Sequence, residues 1–419
     1  MASELPHGWR TAKLNDLGEV NRGKSKHRPR WAEHLYGGAY PFIQTGDVKA
    51  SEGRITSFSQ TYSGAGLRQS RLWPKGTMCI TIAANIAETG VLTFDACFPD
   101  SVVGFVADEK KANVYFVEYV FRYIRHRIQR EATGSVQDNI NLKTLARLDL
   151  PLPPLDEQRR IAAVLGSLDD KIELNRKMNR TLEEMAQAIF KSWFIDFDGM
   201  PDSEMVESEL GPIPRGWEVK PVSEIVTLIG GGTPKKSVAE YWGGDIPWFS
   251  VRDAPAPGDV FVLDTEAHIT EAGLAGSSAR LVEPWTTIIS ARGTVGKLAV
   301  AAGRMTFNQS CYGVRASSAH GDVFIHFVLR DIVEHLRRSA HGSVFDTITR
   351  KTFETAMVRV PPADRAVEFD RTVEPLLQRI LSNGRESRTL ANLRDALLPK
   401  LISGEIRVPE AEEAVEVAS

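Results

Sequence analysis

Few residue sets in this chain can do chemistry. Pro99-Asp100, followed by Glu109-Lys110-Lys111, fits a loose Pro-Asp…Glu-x-Lys nuclease pattern, in which Asp100, Glu109 and Lys111 would support metal-dependent cleavage of a phosphodiester. A second candidate is Arg292-Gly293-Thr294-Val295-Gly296-Lys297, which has the outline of a phosphate loop. It lacks the first glycine, where Ala291 stands, and Leu298 replaces the Ser/Thr, so it reads better as a turn after a β-strand. No Asn-Pro-Pro-aromatic or Asp-Pro-Pro-aromatic box, His-Glu-x-x-His, Gly-x-Ser-x-Gly or metal-ligand cluster occurs. Cys79, Cys97 and Cys311 are odd in number, far apart and outside any Cys-x-x-Cys, which predicts buried free thiols in a reducing cytoplasm and no metal site. With so thin a catalytic inventory, the chain reads as a binding or scaffold protein.

Features suited to nucleic acid are stronger. From Arg22 to Arg30 every second residue is basic: Arg22, Lys24, Lys26, Arg28 and Arg30, with no acid among them. Gly23 and Pro29 mark the stretch as a loop, fit for phosphate contact and groove entry. The related stretch Gly230-Gly231-Gly232-Thr233-Pro234-Lys235-Lys236 is glycine-rich, so its backbone amides can approach phosphate closely, with Lys235 and Lys236 beside them. Gln44-Thr45-Gly46-Asp47 and Ser250-Val251-Arg252-Asp253 follow. Gln and Arg side chains can make paired hydrogen bonds to adenine and guanine edges. Different side chains on matching frames would read different sequences.

The frames match because the chain carries one unit twice. Pro6-His7-Gly8-Trp9 returns as Pro214-Arg215-Gly216-Trp217, an offset of 208. Gly134-Ser135-Val136 returns as Gly342-Ser343-Val344, and Pro153-Pro154 as Pro361-Pro362, at the same offset. One spacing held across half the chain indicates tandem duplication of a large unit. Before its Pro-Pro each copy is mixed: short β-like runs such as Met78 to Ile82 and Thr287 to Ser290, and one amphipathic helix, Val114 to Gln129 or Val323 to Arg338.

After each Pro-Pro a heptad takes over. The first seam reads Ile161, Leu165, Leu168, Ile172, Asn175, Asn179, Leu182, Ala186, Ile189, Trp193; the second, Phe369, Val373, Leu376, Ile380, Asn383, Ser387, Leu390, Arg394, Leu397, Leu401. Alternating steps of four and three predict a coiled coil between the copies, with Asn175 and Asn383 fixing register. Pro375 predicts a kink, or a helix that starts near it. Connectivity makes the pairing antiparallel. The fold class expected is therefore α/β: two mixed domains in tandem, separated by long helices, in a pseudo-two-fold dumbbell. The boundaries expected are residues 1–154 and 214–362 for the mixed domains, 155–198 and 363–407 for the helices, 199–213 for a linker and 408–419 for an acidic, disordered tail. At about 1.5 Å per residue a seam of this length spans roughly 50 Å, enough to hold two domains over groove faces about 34–36 Å apart.

Bulk composition agrees. With 419 residues, 42% of them hydrophobic and 25% charged, the chain suits two to four soluble domains. It has no apolar run long enough for a membrane span, and Met1 to Arg10 lacks the apolar stretch of a signal peptide. The net charge of -3 hides a segregation: residues 1–150 hold 20 Lys/Arg against 15 Asp/Glu, whereas residues 151–207 hold 7 against 12. A polyanion is repelled less by the first segment than by the second.

Together these features resemble the specificity subunit of type I restriction-modification systems. The resemblance is carried by Gly8-Trp9, by Pro151-Leu152-Pro153-Pro154-Leu155-Asp156-Glu157-Gln158, by Ile189-Phe190-Lys191-Ser192-Trp193-Phe194, by Ser290-Ala291-Arg292-Gly293-Thr294-Val295-Gly296 and by Leu397-Leu398-Pro399-Lys400-Leu401-Ile402-Ser403-Gly404-Glu405-Ile406. It implies a subunit without catalysis of its own, two target-recognition domains that each read half of a bipartite, asymmetric DNA site, and helices that set the spacer. It further implies two modification subunits that methylate adenine with S-adenosylmethionine, and restriction-translocase subunits that join them. Arg292 becomes a candidate DNA contact. Copy one departs there, with Ala83-Ala84-Asn85-Ile86-Ala87 in place of the Arg-Gly-Thr phrase. Two other readings compete: a stand-alone nuclease using Asp100, Glu109 and Lys111, and a protein-only adaptor whose two domains bind proteins.

Overall fold

The computed structural model describes residues 5–133, 140–256, 258–317, 320–339 and 347–418. The repeated Gly-Ser-Val triplets at 134–136 and 342–344 lie outside the described residues. The chain forms two compact units, Met1–Asp170 with Thr389–Ser419, and Lys171–Arg388.

Both mixed domains are built on the same five-stranded sheet. In the first unit the strand order is Gly18–Arg22, Val102–Ala107, Met78–Thr81, Thr89–Leu92, Gly53–Ile55; in the second it is Val226–Gly230, Cys311–Ala316, Thr287–Ser290, Leu298–Ala301, Phe261–Val262. The central strands are antiparallel, with Met78 opposite Phe105 and Thr287 opposite Val314, and the last edge pair is parallel in each. The runs Met78–Thr81 and Thr287–Ser290 are buried at every position, as uninterrupted apolar and threonine strands of a covered sheet should be. The helices Val114–Thr133 and Asp322–Ser339 pack across these sheets through Phe116, Val120 and Ile128, and through Phe324, Val328 and Val333, all buried. Sequence periodicity located both helices and both strands to within a few residues.

Two long helices follow, Leu155–Lys191 and Ala363–Ser403. The first ends earlier than residue 198, passing into a π-helical turn at Ser192–Asp196 that Phe197 closes in the left-handed region. The second ends at Ser403 rather than 407. Ala363–Ser403 runs through Pro375, so the helix does not start there. The buried Val373, Leu377 and Ile380 around the proline supply packing that outweighs its cost of about 3 kcal/mol.

Within each unit the two helices pair antiparallel. In the second unit Trp193 meets Phe369 edge to face at 6.1 Å between centroids, while Asn179 meets Asn383 farther along, so numbers fall on one helix as they rise on the other. Leu182, Ile189, Leu376 and Ile380 join the same core. The asparagine side chains are staggered, with the Asn175 amide donating to the Asn383 backbone carbonyl at 3.4 Å. The Asn383 side-chain amide donates to Asn179 Oδ1 at 2.8 Å, and the Asn175 amide donates to Glu386 at 2.8 Å and to the Ser387 hydroxyl at 3.2 Å. Since Ser387 is the repeat equivalent of Asn179, the polar layer obeys the internal two-fold of the duplication. In the first unit Ile161, Leu165, Leu168, Leu390, Leu397 and Leu401 are buried, as is Ile172 in the second.

The first unit also holds a buried charge network. Asp169, from the first long helix, pairs with Arg394 of the second at 2.7 Å and with Arg122 of the domain helix at 3.3 Å. Arg122 also binds Glu118 at 2.7 Å, Thr89 donates to Glu118 at 2.9 Å, and the Tyr119 hydroxyl donates to Asp169 at 2.7 Å. Burial works to raise the Asp169 pKa, but Arg122 and Arg394 outweigh it and hold the carboxyl below the ordinary aspartate range. The repeat equivalents in the second unit are His326, Phe327, Arg330, Leu377 and Ala186, mostly apolar.

Two expectations about connecting segments fail. The tail is a helix, Val408–Ala418, because Val408 and Ala411, one turn apart, are buried and Arg160 pairs with Glu412 at 3.6 Å. The linker is partly ordered too: Met205–Val206 pairs with Ile213–Pro214, and Arg359 donates to the Leu210 carbonyl at 2.6 Å.

Candidate nucleic-acid interface

The basic row of the first unit continues the strand Gly18–Arg22. Gly23 N–H donates to the Val102 carbonyl and Lys24 N–H to the Phe98 carbonyl, which keeps the chain extended beyond the strand. Side chains therefore alternate. Arg22, Lys24 and Lys26 are exposed, and Gly23 and Ser25 between them are buried. A Cβ on Gly23 would stand 2.3 Å from the Phe98 oxygen, so only glycine fits. The second unit repeats the device: a Cβ on Gly231 would stand 2.1 Å from the Asn308 oxygen. Lys235 and Lys236 then emerge exposed.

The last two members of the row are engaged within the fold. Arg28 donates to the Ser25 and His27 carbonyls at 2.7 and 2.8 Å, and Arg30 grips Asp100 through two bonds of 2.9 and 3.0 Å. Both brace the loop. Arg22, Lys24 and Lys26 have no ion-pair partner among the described residues. Ser250 is likewise committed: its hydroxyl and its N–H both donate to Asp253, capping a short turn. Gln44 occupies the matching place, its N–H donating to Asp47 at 2.7 Å, and its side-chain amide donates to Gln60 at 2.6 Å. Gln44 and Thr45 are half-buried, whereas Arg252 is exposed.

The strand-turn phrase shows how the two copies diverge on one frame. Thr81 N–H donates to the Glu88 carbonyl and Ala87 N–H to the Thr81 carbonyl; Ser290 with Lys297, and Gly296 with Ser290, make the same bonds. This register places Arg292 opposite Ala83, not Asn85. It also places Ala84 (φ 46°) opposite Gly293 (φ 77°) and Ala87 (φ 61°) opposite Gly296 (φ 76°). Copy one thus holds alanines in the left-handed region, at about 1–2 kcal/mol each. Ala84→Gly should raise stability to urea by about 0.5–1 kcal/mol, because relief of the strain outweighs the backbone freedom that the substituted chain gains when unfolded. An unchanged or lower midpoint would contradict the strain. Arg292 is exposed at the tip of its turn.

The nuclease set does not assemble. Asp100 precedes the strand Val102–Ala107 and is held by Arg30; Glu109 and Lys111 follow it, with Lys111 paired to Asp108 at 3.2 Å. Six extended residues separate the ends by about 20 Å. No group of three metal-ligating side chains occurs among the described residues. All three thiols are buried; desolvation pushes Cys97 up to about 11 and Cys311 up to about 12, and raises Cys79 further, so none is a thiolate at neutral pH. Among the described residues no helix is long and apolar enough to cross a membrane.

What decides the family is a pair of matches, each on one copy: the type I restriction modification DNA specificity domain fits residues 6–184 and again residues 214–382. The chain belongs to this family. As a type I restriction-modification specificity protein it resembles the MjaIX specificity subunit of Methanocaldococcus jannaschii, with 26% identity over 97% of this chain and 95% of that protein. It also resembles the HindI specificity subunit of Haemophilus influenzae, with 26% identity over 72% of this chain and 80% of the relative. The crystal structure of the S subunit of a type I system from M. genitalium has the same fold, with a TM-score of 0.59 at 15% identity, covering 96% of this chain and 98% of that one. The specificity subunit is a DNA-recognition protein of a restriction system, built from two tandem mixed α/β domains and long paired helices.

Sequence reasoning missed the charge network of the first unit and the brace roles of Arg28 and Arg30. Arg394 was the one available signal for the network: a cation on an otherwise apolar or small-polar seam.

Proposed function

We propose that each recognition domain of this specificity subunit reads one half of a bipartite, asymmetric DNA sequence, and that the long helices set the spacer and dock two modification subunits. One observation carries the reading. Two copies of one backbone frame present different side chains at matching places: the exposed Lys24 and Lys26 stand where the second copy has Gly232 and Pro234, and the half-buried Ala83 stands where it has the exposed Arg292. The frame supplies position and the variable side chains supply sequence preference. Adenine methylation belongs to the modification partners, which hold S-adenosylmethionine; this chain is the non-catalytic subunit, and restriction-translocase subunits complete the complex in the cytoplasm.

Exchanging residues 1–150 for the matching domain of a relative should change the methylated sequence in one half-site and leave the other intact, read by methylation mapping of the host genome. A change in both halves, or in neither, would refute the division of labour. If the assembled complex bound no DNA in a salt-sensitive way, the adaptor reading would replace this one. Inserting one helical turn after Asn179 and one after Asn383 should lengthen the recognised spacer, and an unchanged spacer would remove the helices from that role.

A further inference from the structure

We infer that Trp31 is an apolar base contact of the first recognition domain, packing against base edges in a duplex groove while Arg22, Lys24 and Lys26 engage the phosphates. This rests on the DNA-recognition reading of that domain.

Of eight tryptophans, seven are buried or half-buried; Trp31 alone is exposed, at 69%. Among the described residues the next most exposed large apolar side chain, Leu174, reaches 50%. An indole in water forgoes the burial that this residue type usually gains. The loop beneath it is not slack. Arg28 binds two carbonyls of its own loop, Arg30 is gripped by Asp100, the Tyr36 hydroxyl donates to the Arg30 carbonyl at 2.9 Å, and Ala32 N–H donates to the Pro29 carbonyl at 3.3 Å. His27 meets His34 edge to face at 5.1 Å across the same turn. The fold therefore spends its braces on fixing the backbone on both sides of Trp31 while leaving the ring out, so little ordering cost remains on binding.

Charge selects the occupant. The exposed cations Arg22, Lys24 and Lys26 precede this turn in the chain, without an ion-pair partner among the described residues, and a polyanion satisfies them where an apolar protein face would not. Aromatic and apolar side chains contribute to groove and base contact independently of charge. Counting back from the matched Tyr36 and Trp242, the second domain has Ser237 in this place, so the contact serves one half-site only.

The test uses the full chain assembled with its modification subunits and a duplex carrying its methylation site, with affinity measured across a salt series. Trp31→Ala should weaken binding about 10- to 100-fold with an unchanged salt slope, because no charge is removed. It should also relax discrimination in one half-site. Trp31→Phe should retain most of the affinity. Lys24→Ala with Lys26→Ala should weaken binding and lower the slope by about two. If the lysine variant behaves so while Trp31→Ala stays within threefold of the parent, the domain still binds DNA by this loop and the indole contact is refuted. If neither variant matters, the loop is not the DNA face. If Trp31→Ala impairs assembly with the modification subunits and leaves half-site discrimination intact, Trp31 is a protein contact and the inference is overturned.

Discussion

Arg122→Ala lowers the stability of the first unit by about 3–5 kcal/mol, the cost of leaving a buried charge without its partner. The guanidinium lies between Glu118 and Asp169, all three largely withdrawn from solvent. Without it, burial, which already pushes Glu118 above the ordinary glutamate range, acts unopposed there, and Asp169 keeps only Arg394. Urea unfolding, with hydrogen exchange followed in Val114–Thr133, measures the loss, and a change under 1 kcal/mol would contradict the network. The second repeat supplies the control. Tyr119→Phe, Asp169→Leu and Arg394→Ala together install the equivalents Phe327, Leu377 and Ala186, removing both partners of the Asp169–Arg394 and Asp169–Tyr119 contacts at once and leaving Arg122 paired with Glu118. Exchanging a buried ionic set for apolar groups is close to neutral, so the triple variant should cost less than Arg122→Ala alone. Acid acts on the same network. Asp169 titrates below its unfolded value in the folded chain, so its contribution is complete above about pH 4 and is lost as the pH falls through the lower folded value.

The second unit weakens with acid over a different window, through His326. This imidazole is buried, and desolvation, with Arg330 nearby, pushes its pKa down to about 3; its Nδ1 lies 3.3 Å from the Thr287 hydroxyl. Between about pH 6.5 and pH 3 the unfolded chain binds a proton that the folded chain refuses. Stability therefore falls as pH falls, by about 1.4 kcal/mol per unit. From pH 6.5 to pH 4.5 the His326 contribution is a loss of about 2–3 kcal/mol. His326→Gln should flatten that part of the profile, read as the difference between the two proteins in urea midpoint at each pH. Identical pH slopes for parent and variant would place the acid sensitivity elsewhere.

The sequence by itself determined what depends on local order. An offset of 208 and a step of four and three report duplication and paired helices because a seam is a run of neighbours in sequence, and each apolar residue declares its face without knowing its partner. Gly23 was legible as a loop marker, though not as the residue pressed against the Phe98 carbonyl. Tertiary structure decided which polar groups are free. Arg22 and Arg30 look alike in the basic row, yet Arg30 meets Asp100, seventy positions away, and Arg22 meets no acid among the described residues. The tail beyond Pro409 read as solvated because its acids dominate, but Val408 and Ala411 find an apolar surface and Glu412 finds Arg160. Pro375 read as a kink or a helix start because its local cost is visible in sequence, while the packing that lets the helix run through it is supplied when the helix is buried. Charge pairing and burial are properties of distances between remote residues, and periodicity carries no record of them until the chain has folded.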